Sequence, residues 1–212
     1  MHAAREIQKA DQRAQFLEAA LRMLEESGPD ALQARALAAE VGVSTQAVYT
    51  LFGGMPGLFR ALVADGFARF ADYVDAVPRT DDPVADFFAQ GAAYGEWALS
   101  HPRLYRLMFE LAGGSLTSFQ EGEAALDVMV QALDRVKQSG RIRQEDTVHI
   151  AGQFLSATHG YLLLEIAGAF GRQGEGLQVA SGFAVNLMVG LGDSREAAER
   201  SLRAGLEART RR

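Results

Sequence analysis

Residues 35–54, Arg35-Ala-Leu-Ala-Ala-Glu-Val-Gly-Val-Ser-Thr-Gln-Ala-Val-Tyr-Thr-Leu-Phe-Gly-Gly54, read as two short helices joined by a tight turn. Leu37, Ala38 and Val41 form one apolar stripe at helical spacing. Gly42 follows as a residue free to take a left-handed conformation and close the first helix. Ser44 is expected to cap the second helix with its hydroxyl, and Val43 to pack on Val48 as a hydrophobic staple. In that second helix Val48 and Phe52 point inward, while Thr45, Gln46, Tyr49 and Thr50 point outward. A short helix that buries one face and offers uncharged hydrogen-bonding side chains on the other fits a DNA recognition helix. A plain helical hairpin would share the turn, so the flanking order carries the rest of the argument.

An amphipathic helix precedes the pair, with Phe16, Ala20 and Met23 in line beside Leu17, Leu21 and Leu24, and Gly28-Pro29-Asp30 breaks it. After it, Phe52-Gly-Gly-Met-Pro-Gly-Leu-Phe59 opens another long helix, expected from Gly57 or Leu58. This order within about the first 60 residues resembles the TetR family of one-component transcriptional repressors. The resemblance implies that Arg35, Thr45, Gln46, Tyr49 and Thr50, with Ser44 at the helix start, form the DNA-binding set, Tyr49 matching the family's near-standard tyrosine. Three positions depart from the family pattern: Gln33 replaces a Ser or Thr cap, Leu51 a His or Tyr, and Met55 a lysine that touches phosphate.

The chain has 212 residues, 48% of them hydrophobic and 23% charged, enough for one or two domains with a substantial core. Five prolines and frequent Ala, Leu, Glu and Arg favour an all-α protein. No run of about 18 apolar residues and no apolar secretory core occur, which predicts a cytoplasmic protein. With zero cysteines, disulfides, thiol catalysis and cysteine-ligated zinc are excluded. The net charge of −6 argues at first against nucleic acid. Its distribution argues otherwise: from Val41 to Ala64 there is no acidic residue, and Glu25, Glu26, Asp30 and Glu40 can face away.

Residues 1–57 are expected to form the helix-turn-helix DNA-binding domain and residues 58–212 a larger helical ligand-binding and dimerisation domain. Helices are expected from Leu58 to about Ala76, over Val84–Ser100 with Asp82 as a cap, and over Arg103–Leu111 behind Pro102. Others follow from Phe119 or Glu121 to Ser139, from Thr147 to about Phe170 behind an Asp146 cap, and over Leu177–Leu191. Loops are expected at Gly113-Gly114-Ser115 and over 171–176. Asp193 with Glu196 resembles a capping box for a short C-terminal helix, whose Arg- and Glu-rich sequence reads as a solvated face or frayed tail. The helices 147–170 and 177–191 are apolar on more than one side, which fits either a central core helix or a dimer interface of the four-helix-bundle kind. The TetR resemblance implies the homodimer. The segment from Thr158-His-Gly onward resembles a C-terminal subgroup of that family that often carries Trp-His-Gly, with Thr158 at the tryptophan position.

Ligand spacing gives no metal site: His149 and His159 lie ten apart, and no H-x-x-x-H pair exists. No nucleophile elbow, phosphate-cradling loop or dinucleotide fingerprint is present, and no cofactor is expected. The aromatic and methionine residues of the middle helices serve as core, and some are expected to line an apolar pocket; the candidates are Tyr94, Trp97, Tyr105, Met108, Phe109, Phe154 and His159. Two function classes follow. One is a ligand-responsive repressor that binds operator DNA as a homodimer and is released by an apolar or aromatic small-molecule inducer. The other is a helical small-molecule-binding or interaction protein whose helix-turn-helix is incidental. An enzyme is a distant third.

Overall fold

Every regular element in the computed structural model, which describes residues 2–111, 120–171 and 175–210, is helical. The elements are α1 (His2–Ser27), a 3-10 turn (Pro29–Ala31), α2 (Ala34–Val41), α3 (Gln46–Phe52), α4 (Met55–Asp75), α5 (Pro83–Ser100), α6 (Pro102–Leu111), α7 (Gln120–Gln138), α8 (Thr147–Ile166), α9 (Glu175–Gly190) and α10 (Arg195–Thr210). They form two compact units, one of Met1–Arg69 with His101–Gly122 and one of Phe70–Ser100 with Glu123–Arg212. The loop expected at Gly113-Gly114-Ser115 lies outside the described residues, as does 172–174 of the second expected loop. Among the described residues no single helix is long and apolar enough to cross a membrane.

The first unit is built on α1, whose Phe16, Ala20 and Leu24 are buried. Helix α6 is tied to α1 by a reciprocal pair of caps. The Glu25 carboxylate accepts from the backbone N–H of Leu104 (2.8 Å) and of Arg103 (3.3 Å) in the first turn of α6. The Arg103 guanidinium in turn donates to the carbonyls of Glu25 (2.7 Å) and Leu24 (3.3 Å) near the end of α1. Each side chain supplies what a helix end lacks, an anion for free N–H groups and a cation for free carbonyls. Leu104, Tyr105 and Met108 are buried in this unit, and Phe109 packs on Phe67 with ring centroids 6.1 Å apart. Gly66 lets α6 approach, since a Cβ there would meet Met108 Sδ at 3.0 Å.

The second unit has a core of Val84, Phe87, Phe88, Leu133, Val136, Ile150, Phe154, Val185 and Met188. Asp82 and Asp146 act as the expected caps: Asp82 accepts from Val84 and Ala85 N–H, and Asp146 from Val148 and His149 N–H. Helix α8 stops at Ile166, short of the expected Phe170, because Gly168 turns left-handed at φ 75° and Ala169 N–H bonds back to Leu164 C=O at 2.9 Å.

The C-terminal segment is not a frayed tail. Ala198 and Ser201 are buried, and Gly205 brings α10 so close to α5 that a Cβ would collide with the Ala85 carbonyl. Small residues at positions 198, 201 and 205 form a stripe that the surrounding Arg and Glu conceal. The cap of α10 is Ser194, whose Oγ accepts from Ala197 N–H at 3.2 Å. Asp193, the expected cap, is instead held by one edge of the Arg141 guanidinium, Nε donating to Oδ1 at 2.9 Å and Nη2 to Oδ2 at 2.6 Å. Nearby, Asp86 is 5% exposed and takes Arg135 at 2.8 Å together with the N–H and hydroxyl of Thr80. These two buried carboxylates tie the second unit's loops to α7, α5 and α10 with every charge paired.

Candidate DNA-binding surface and ligand cavity

Helix α3 is fixed from behind. Val48 and Leu37 are fully buried, each contributing about 1.5–3 kcal/mol relative to exposure. Phe52 meets Phe16 edge-on at 5.8 Å, and the Arg13 guanidinium lies 4.8 Å from its ring centre. Gly42 is left-handed as expected, at φ 75°. Gly53 and Gly54 repeat the device after α3, at φ 72° and 105°. They allow α4 to start at Met55 rather than at Gly57 or Leu58, with Pro56 in the first turn where its missing N–H costs nothing. Gly57 sits where any Cβ would strike the Phe52 carbonyl.

The Ser44 cap does not form. The helix begins from Thr45 without a side-chain cap, and the turn is closed by backbone bonds from Ala47 to Ser44 (3.0 Å) and from Val48 to Thr45 (3.1 Å). Helix α2 likewise starts at Gln33 without a side-chain cap. Arg35, Ser44, Thr45, Gln46, Tyr49 and Thr50 are all exposed, Tyr49 by 59%. The Thr50 hydroxyl donates to the Gln46 carbonyl at 2.9 Å, so it is already engaged within the helix. The neighbouring acid Glu40 is paired with Arg22 at 2.9 Å. Glu25, expected to face away, is spent on α6 as described.

The second unit holds an apolar cavity of about 380 Å³. Its walls include the rings of Phe87, Phe88, Tyr94, Phe154, Tyr161 and Phe183, with Phe87 and Phe154 edge to face at 4.8 Å. Thr158, Gln90 and Ser181 add neutral polar groups, and Glu96 and Glu165 add carboxylates. Glu96 is paired with Arg209, which holds its carboxyl below the usual range, helped by Tyr73. One oxygen of Glu165 is buried and has no hydrogen-bond partner. Burial, and then the Glu165 charge, push the Tyr161 phenol up.

Of the pocket candidates, Tyr94 and Phe154 line this cavity. Trp97 is buried against Phe70 at 5.3 Å, behind the wall. Tyr105, Met108 and Phe109 pack inside the first unit because α6 is capped onto α1. His159 is half-buried, its imidazole pushed down by desolvation, and stands beside the lining residue Thr158. Tyr161, Glu165 and Phe183 were not among the candidates. Thr158, Tyr161 and Glu165 recur at a spacing of three to four along α8, which is the available signal. Among the described residues no group of three or more His, Asp or Glu side chains forms a metal-binding cluster.

One unit presents the helix-turn-helix and the other holds a partly open apolar cavity. The family model for bacterial regulatory proteins, tetR family, matches residues 16–62, and that for the tetracyclin repressor-like, C-terminal domain matches residues 87–187. An uncharacterized HTH-type transcriptional regulator of Mycobacterium tuberculosis is 29% identical over 163 residues, 74% of this chain and 71% of its own length. A protein of unknown function from Rhodococcus sp. RHA1 shares the fold with a TM-score of 0.75 at 27% identity, over 86% of this chain and 96% of that one. RolR in complex with the ligand resorcinol superposes with a TM-score of 0.66 at 16% identity, over 93% and 95% of the two chains. Both parts of the chain thus match models of TetR-family transcriptional regulators, and the matches indicate a regulator rather than an enzyme.

Proposed function

We propose that this regulator is a cytoplasmic repressor that binds operator DNA as a homodimer and is released by an aromatic small molecule. The observation that carries the reading is the exposed row Thr45, Gln46 and Tyr49 on a helix locked by Val48 and Phe52. Gln46 is suited to pair with adenine, and Thr45 to touch a thymine methyl or a phosphate. The acid-free stretch Val41–Ala64 keeps repulsion from phosphate low. The cavity supplies the effector site, and the resorcinol bound by RolR shows that a protein of this fold takes an aromatic ligand. The Thr158-His159-Gly160 segment, which resembles the Trp-His-Gly subgroup, meets the effector through Thr158 on this reading. Helix α4 carries the signal toward residues 1–57, because it runs unbroken from Met55 to Asp75. A coupling of about 1–3 kcal/mol lowers operator affinity some 5- to 150-fold.

The test is retardation of the chain's own promoter DNA across a salt series. Binding that weakens steeply with salt and is lost in Thr45→Ala, Gln46→Ala and Tyr49→Ala supports the reading. Operator affinity unchanged in all three, or no binding at low salt, rejects it and leaves a helical ligand-binding protein.

A further inference from the structure

The cavity has an aromatic interior and an unbalanced charge. Among the described residues no Lys, Arg or His lines it, while two carboxylates do. Glu96 is neutralised by Arg209. Among the described residues Glu165 has no such partner: one of its oxygens is buried without a hydrogen bond, pressed against Gly176 in the first turn of α9, where a Cβ would collide with it. The end of α9 gives it a favourable field but no bonded donor. An ionised carboxylate among aromatic walls is costly unless a cation meets it.

One turn earlier on α8 stands Tyr161, whose ring lies 6.1 Å from that of Phe183. An aromatic face and a carboxylate at a spacing of four along one helix make a combined site, since a ring face and an anion both attract a positively charged nitrogen. We propose that the effector cavity takes an organic ammonium ion, with its aromatic body among Phe87, Phe88 and Phe154 and its charged nitrogen between Tyr161 and Glu165. The assignment deepens the effector reading above and rests on it for its regulatory meaning, but binding itself is measured without DNA.

The experiment titrates the full chain with 2-phenylethylammonium and with 2-phenylethanol, a neutral molecule of similar shape that still donates a hydrogen bond, by isothermal titration calorimetry. The ammonium ion is expected to bind about tenfold or more tighter, and Glu165→Gln to remove that preference while leaving the alcohol within about twofold. Equal affinity of the two in the unaltered chain overturns the proposal whether or not the variant folds. So does a preference that survives Glu165→Gln with the alcohol still bound. Operator release is then read separately: an ammonium ion that binds with the expected preference and leaves DNA affinity unchanged upholds this site and rejects the repressor mechanism.

Discussion

Tyr49 is the residue at which affinity and stability separate. Its ring is 59% exposed and rests beside Gly54, so it contributes little to the core. Tyr49→Ala is therefore expected to cost about 1–3 kcal/mol of operator binding if it reads a base, with a melting temperature within a degree or two of the parent. A large fall in melting temperature would mean that the ring holds the helices together. His159 gives a pH signature. Burial lowers its pKa in the folded chain, so the neutral form is favoured there. Its contribution is fully present above about pH 6.5 and is lost as the pH falls through the lowered folded value. Chemical denaturation at a series of pH values is expected to show stability dropping on acidification below about 6.5, and His159→Gln to flatten part of that drop. An unchanged slope in the variant would place the acid sensitivity elsewhere.

At the scale of elements, α10 shows where sequence reading stops. Its charges are on the page of the sequence, but Ala198, Ser201 and Gly205 gain meaning only when α5 is present to fill the groove. Gly205→Ala is expected to destabilise the chain by about 1–3 kcal/mol by forcing backbone against backbone, readable in urea unfolding. No loss would mean that α10 shifts freely on α5. The helix-turn-helix was legible because its signals are local: Gly42, the inward pair Val48 and Phe52, and the outward polar row lie within a few residues of each other. Capping at the two aspartates Asp82 and Asp146 was legible for the same reason. The cap at Ser44 failed because the backbone itself closes that turn. The cavity was half legible, since aromatic content marks an apolar space but not which rings face it. Tyr105 and Trp97 are as aromatic as Tyr94, and packing against α1 and Phe70 decides their places.

At the scale of the whole molecule, helices α8 and α9 leave large apolar side chains uncovered in the single chain. Val148 is 59% exposed, Leu164 51%, Leu177 56% and Val179 43%. Burying a set of this size is what a second copy would achieve, and the proposed homodimer assigns it that role. Leu164→Glu is the informative variant, because Leu164 is exposed and does not line the cavity. It is expected to give a monomer by light scattering at micromolar concentration and to lose promoter retardation while keeping its helical circular dichroism. A variant that remains dimeric would move the interface off this part of α8.

The pairing of Glu25 with α6 and of Arg103 with α1 bears on how such proteins can be recombined. The first unit is assembled from two stretches of chain, Met1–Arg69 and His101–Gly122, so the unit that carries the helix-turn-helix is discontinuous in sequence. A fusion that borrows the opening segment alone would leave the α1 carbonyls without Arg103 and bare the surface around Gly66 and Phe67 that Leu104, Met108 and Phe109 cover. The helix-turn-helix unit is thus not a portable cassette. A chimera that keeps this unit intact has to import residues 101–111 along with the opening segment, so that Arg103 still closes the α1 carbonyls and Glu25 still caps α6.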